Sequence, residues 1–331
     1  MISAIFQYLN VNEKYVRSQW ALTQKFVHGD ISPTQFYFAA HPYTSALAIH
    51  VLMMIYTFVV GTARNEHSQV DRMWSMLPTS TLIYYLVYTY LKFGMVSTRQ
   101  LLYTSAMLIW SVRLTYNFAR KGGYNGVEDY RWQVLRSKIP KAVFIVFSLV
   151  FISIIQLLLL LNITAPAALF TDHVHKDLMP GEYFFLAALL CVIGIEGVSD
   201  EYQWDYQSAK HEYKASGNVS SKYTKAQLER GFCAFGPFKY SRHPNFIAEQ
   251  FVWIIPYLWS LYVIGERFNW TIIGAIGYVV LFQGSTTFTE YITRQKYPVY
   301  NDYIKMTGRF FPSLKSHWVE PAQIDSKTKI S

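Results

Sequence analysis

Lys239-Tyr240-Ser241-Arg242-His243-Pro244-Asn245 stands directly before an apolar stretch. Arg242, His243 and Asn245 offer donors that suit phosphate, carboxylate or amide groups. Pro244 fixes its own φ and disfavours the helical region for His243, so the chain should turn before the next helix begins. That helix then carries Glu249 into apolar surroundings, where an ionisable side chain is costly and functional by default. A polar ligand gripped at a membrane surface would need such a layout. A basic flank followed by one polar core residue gives the same pattern with no ligand at all.

Other segments offer comparable chemistry. In Trp110–Arg120, the residues Arg113, Tyr116, Asn117 and Arg120 fall at i, i+3, i+4 and i+7 and share one helical face. Two arginines on one stripe near a membrane surface must be paired or solvated, and a phosphate group would pair them. Snorkelling arginines at a helix end are the rival. Glu196 and Asp200 stand four apart, a destabilising like-charge pair unless ribose hydroxyls, an amide or Arg242 bridges them. Gly122-Gly123-Tyr124-Asn125-Gly126 permits close backbone approach, but no strand precedes it and its spacing is not that of a dinucleotide fingerprint. Asp71-Arg72 reads as a self-neutralised interfacial anchor beside Trp74. The chain offers no metal-ligand spacing, and Cys191 and Cys233 make no disulfide framework.

The elements that must position these groups follow from composition. A chain of 331 residues with 52% apolar and 15% charged residues is too apolar for an ordinary soluble domain. Hydropathy predicts an all-α, polytopic membrane protein with about seven transmembrane helices, near 44–62, 79–96, 101–118, 141–161, 183–198, 246–264 and 270–289. Residues 1–43 read as a lead-in, 44–315 as a single transmembrane domain and 316–331 as a tail. Residues 205–235 read as a polar connection and the one segment with the make-up of a lid. The net charge of +9 does not mark a nucleic-acid binder, because its basic residues crowd alternate connections. That is the positive-inside bias, and it places both basic loops and the C-terminal tail in the cytosol, with the N-terminus opposite. Membrane lipid is the expected partner, and no obligate protein partner is evident. Lys327 and Lys329 resemble a dilysine retrieval signal of the endoplasmic reticulum. Asn162 and Asn269 open glycosylation sequons that hug the membrane.

Taken together, Val70–Pro78, Trp110–Trp132, Glu196–Gln203, Tyr240–Glu249 and the tail from Glu290 through Pro312 resemble the steroid 5α-reductase-like membrane proteins, in particular their poorly characterised domain-of-unknown-function branch. The resemblance spans roughly 65–315. It implies a helical fold with a cofactor cavity open to the cytosol, NADPH bound by the C-terminal half, and a lipid or sterol-like enone entering from the bilayer. Asp200, Arg242, Asn245, Glu249, Tyr300, Tyr303 and Arg309 look like cofactor contacts in that picture, joined by Arg113, Arg120, Glu196, Tyr240 and His243. The steroid reductases carry an acid before the Leu-Pro of the second span and a tyrosine upstream of the third-span arginine; here those places hold Met76 and Trp110. Tyr116 is therefore the expected proton donor. Two rivals stand beside this expectation. Arg-His-Pro followed by a span also resembles the isoprenylcysteine carboxyl methyltransferases, which use S-adenosylmethionine. A non-catalytic lipid-binding scaffold would equally account for the missing proton-donor pair.

Overall fold

The computed structural model describes residues 16–126, 128–313 and 318. The expected dilysine signal at Lys327 and Lys329 lies outside the described residues, as does nearly all of the expected tail. Among the described residues the fold is all-helical, with a single isolated parallel bridge between Ser241 and Gly308.

Among the described residues, five helices are long and apolar enough to cross a bilayer: Pro42–Arg64, Lys141–Asn162, Pro180–Ser216, Pro244–Ile264 and Ile272–Lys296. Those lengths and compositions are those of an integral membrane protein. Seven spans were expected, and the difference falls on the second and third. Helices do form there, at Met76–Phe93 and Thr98–Arg120. However, the first carries Thr79, Thr81 and Thr89, and the second Arg99, Gln100, Arg113, Asn117 and Arg120, which dilute their apolar character. The helix Pro42–Arg64 shows the opposite case. Ile49, Leu52, Ile55 and Val59 are exposed along one side, while Ala46, His50, Met54, Thr57 and Gly61 are buried along the other. Exposed aliphatic side chains at helical spacing suit contact with lipid.

The helix predicted at 183–198 runs instead from Pro180 to Ser216. No proline or glycine interrupts residues 199–216, and the chain leaves the helix only at Gly217, whose φ of +77° is left-handed. Residues 205–235 are thus a packed element and no free lid. Tyr206, Ala209, Leu228, Cys233 and Phe238 form one buried cluster. Tyr206 Oη donates to the carbonyl of Gln227 at 2.8 Å, and Lys210 Nζ to that of Gly231 at 3.1 Å. Burial pushes the Cys233 thiol up to about 11, which leaves it inert as a nucleophile at neutral pH.

The most apolar of these five helices, Lys141–Asn162, contains a π-helical stretch at Ser148–Ile155. Wide turns of this kind recur at functional sites. The chain divides into two compact units. The first holds the described residues up to Cys191 together with Val252–Val279; the second holds Val192–Phe251 and the described residues from Val280 onward.

Candidate functional site

In the second unit, the turn before Pro244 is stitched to a distant segment. Arg242 N donates to the carbonyl of Gly308 at 2.9 Å and His243 N to that of Arg309 at 3.0 Å. Pro244 then opens the helix Pro244–Ile264, as its fixed φ favours at a first helical position. The backbone pairing brings Arg242, His243 and Arg309 onto one carboxylate, that of Glu290 near the end of Ile272–Lys296. Arg242 Nε lies 2.7 Å and His243 Nε2 3.0 Å from Glu290 Oε1, while Arg309 Nη2 lies 3.2 Å from Oε2. Arg242 Nη1 also donates to the carbonyls of Ile304 and Thr307. Burial holds the His243 imidazole below its ordinary value, against the pull of Glu290. A neutral ring that donates Nε2–H to the carboxylate fits both facts. Two guanidinium groups then face one carboxylate, and the set keeps an excess positive charge suited to an anion. Arg309 is the open edge, with its side chain 37% exposed against 7% for Arg242.

Tyr300 and Tyr303 come from the helix Tyr300–Met306. Tyr300 is buried against this set, and burial followed by the Glu290 charge raises its phenol well above the ordinary range. Tyr303 is spent on structure. Its hydroxyl donates to the carbonyl of Phe238, and its ring packs with Phe232, Tyr300 and Trp318. Asn245 Nδ2 donates to Asp200 Oδ1 at 3.2 Å. Of the groups that could relieve the Glu196/Asp200 pair, Arg242 is turned to Glu290, whereas the amide of Asn245 serves Asp200. Glu196, Asp200 and Glu249 are all buried in this unit, whereas Tyr240 is exposed.

The first unit holds the remaining expected residues. Arg120 donates Nε and Nη2 to Asn117 Oδ1, at 3.1 and 2.9 Å, and its guanidinium lies 5.3 Å from the Tyr116 ring. The shared face of Thr98–Arg120 therefore forms as the spacing predicts. Tyr116 itself is 62% exposed, a poor place from which to protonate an intermediate that must be shielded from water. Arg113 is half-buried on the same helix.

Two networks of the first unit were not foreseen. Asp71 accepts from Trp132 Nε1 at 2.8 Å, and Tyr124 Oη donates to the carbonyl of Arg72 at 3.2 Å. These bonds join two segments that had been read separately. Arg99 and Glu182, each 1% exposed at the side chain, form a bidentate pair at 2.5 and 2.7 Å. Arg99 further donates to the carbonyls of His173 and Asp177, while Glu182 accepts from Met179 N and Trp259 Nε1. Both carboxylate oxygens and all three nitrogens of the guanidinium are engaged, so this pair is a structural clamp.

A family profile described as "Protein of unknown function (DUF1295)" matches residues 57–307. The chain belongs to the DUF1295 family. It is also 36% identical over 296 residues to an uncharacterized protein of the fission yeast Schizosaccharomyces pombe, covering 88% of this chain and 86% of the relative. No solved structure matches the chain. The stretch matched to DUF1295 contains Arg242, His243, Asn245, Glu249 and Glu290 and ends just short of Arg309. Glu290 is the residue the sequence reading left out of the site. Its signal was a lone carboxylate near the polar end of an apolar helix, where it needs a partner.

Proposed function

We propose that this DUF1295 protein is a membrane oxidoreductase that reduces a carbon–carbon double bond of a lipid or steroid-like enone with NADPH. The observation that supports it is the gathering of Arg242, His243 and Arg309 on Glu290, which keeps an excess positive charge at one place in the second unit. The donor set fits the cofactor. Guanidinium groups suit phosphates, and Asn245, Asp200, Glu196 and Glu249 suit ribose hydroxyls and a carboxamide. When bound, NADPH supplies the hydride. Arg309 holds a phosphate at the exposed edge, Arg242 is kept in place by Glu290, and the buried acids orient the sugar. The exposed Tyr116 leaves the proton donor unassigned. Seven spans, a cytosolic C-terminus and residence in the endoplasmic reticulum complete the reading, supported by the distribution of lysine and arginine.

The buried carboxylates Glu196, Asp200 and Glu249 favour a second reading, since they would suit the sulfonium of S-adenosylmethionine. Thermal shift of the purified protein with NADPH, NADH and S-adenosylmethionine separates the two, because a ligand stabilises by mass action, about 2.7 kcal/mol at a hundred times its Kd. Stabilisation by NADPH is expected. It should weaken by about 1–3 kcal/mol in Arg309→Ala and in Asn245→Ala through lost hydrogen bonds. A shift with S-adenosylmethionine alone would replace the reductase reading, and no shift with any of the three would leave a lipid-binding scaffold.

A further inference from the structure

The buried stripe of Pro42–Arg64 carries Ala46, His50, Met54, Thr57 and Gly61. This helix lies antiparallel to Lys141–Asn162. At one end Tyr43 Oη donates to Asn162 Oδ1 at 3.1 Å. At the other, His67 folds back against Gly61, and its Nδ1 lies 2.7 Å from Ser148 Oγ. By equal helical rise inward from those two ties, His50 falls at about the level of Gln156. Ser153 lies three residues before Gln156, and both are buried.

Three polar atoms here are sealed from solvent and make no hydrogen bond: His50 Nε2, Ser153 Oγ and Gln156 Oε1. Their residues are 1%, 1% and 4% exposed. His50 Nδ1 is 2.9 Å from the carbonyl of Ala46. A carbonyl can be satisfied only by an N–H, so Nε2 presents a bare lone pair. Gln156 Oε1 is a second acceptor, and the Ser153 hydroxyl serves either way. A helical serine ordinarily bonds the carbonyl one turn back. Ser153 sits in the π-helical stretch and does not. Unmade bonds at buried groups cost about 1–3 kcal/mol each, so the missing donors have to come from elsewhere. The sequence neighbours Ile49 and Ile155 are 45% and 47% exposed, which puts the lipid-facing surface one residue away.

We infer that His50, Ser153 and Gln156 form a subsite for the hydroxyl group of an otherwise apolar molecule taken from the bilayer. A carbonyl or ether could accept from the Ser153 hydroxyl or the Gln156 amide but would leave His50 Nε2 without a donor; an alcohol brings the O–H that this nitrogen lacks. The subsite lies wholly within the first unit and does not rest on the nucleotide reading.

The test uses the full-length protein in phosphatidylcholine vesicles, photolabelled with a diazirine-bearing hexadecanol or with its methyl ether and mapped by peptide. The alcohol should label 42–64 and 141–162 about tenfold more than the ether, the factor that one net hydrogen bond supplies. His50→Leu and Gln156→Leu should bring the two probes to parity. His50→Gln, which restores an acceptor, should recover the preference and guards against loss through misfolding. Equal labelling of the unsubstituted protein by both probes, as trapped water alone would give, overturns the inference. So does an alcohol preference that survives both leucine variants.

Discussion

Replacing Glu290 by alanine should cost about 3–5 kcal/mol of stability, the usual penalty for removing one partner of a buried ion pair. The figure rests on Arg242, whose side chain is 7% exposed and whose Nε would face no acceptor once the carboxylate is gone. The carbonyls of Ile304 and Thr307 would still serve Nη1, but they carry no net charge. Arg309 adds little, about 0–1 kcal/mol, because its side chain is 37% exposed and water takes over its solvation. Glu290→Gln should be nearly as damaging, since its amide N–H₂ would turn a donor toward donors. Arg242→Met combined with Glu290→Leu should recover much of the loss, because the uncompensated charge disappears with its partner. Purified variants are heated in detergent and the remaining monodisperse fraction is read by size exclusion. A drop in midpoint of roughly 5–10 °C is expected for Glu290→Ala. A midpoint within about 1 °C of the unsubstituted protein would refute the placement of Arg242 on Glu290.

Acid should destabilise the fold through its histidines. His243 and His67 both titrate below the ordinary 6.5 because they are buried. The native state therefore holds fewer protons than the unfolded chain, and stability present above pH 6.5 is lost as pH falls. Midpoints measured from pH 7.5 to 5 should decline, with a shallower slope in His243→Gln; an unchanged slope would count against a neutral, buried imidazole. Glu182→Ala should lower stability by about 3–5 kcal/mol by stranding Arg99, and an unshifted thermal midpoint would contradict the clamp. Gly274→Ala should cost about 1–3 kcal/mol by overpacking. Its new Cβ would lie 2.4 Å from the carbonyl oxygen of Asn162, a backbone atom that cannot swing aside. Thermal unfolding of that variant at the wild-type midpoint would show that the two helices part easily.

How far the sequence could be read depended on the range of the interaction. Arg113, Asn117 and Arg120 were legible because a helical period places them on one face. The Arg242-His243-Pro244 turn was legible because proline constrains its neighbour. Arg309 could be grouped with Arg242 only through family resemblance, as nothing local to either announces the pairing of residues 242 and 308. Glu290 escaped for the same reason, since its three partners lie 19 to 48 residues away along the chain. Arg99 and Glu182 stand 83 residues apart, so no local pattern joins them. The end of the helix predicted at 183–198 was missed because hydropathy fades at Ser199. Helical propensity does not fade there, and no glycine or proline stops the chain before Gly217.

The helix Pro180–Ser216 has a mechanical corollary. Its 37 residues reach about 55 Å, nearly twice a hydrocarbon thickness of about 30 Å. Its last turns thus behave as a stiff shaft, and an α-helix advances about 100° per residue. A single residue added after Gln203 would spin Tyr206 and Lys210 through that angle, away from the carbonyls of Gln227 and Gly231. In a flexible tether such an addition would pass unnoticed. Here, one extra peptide unit would break both bonds.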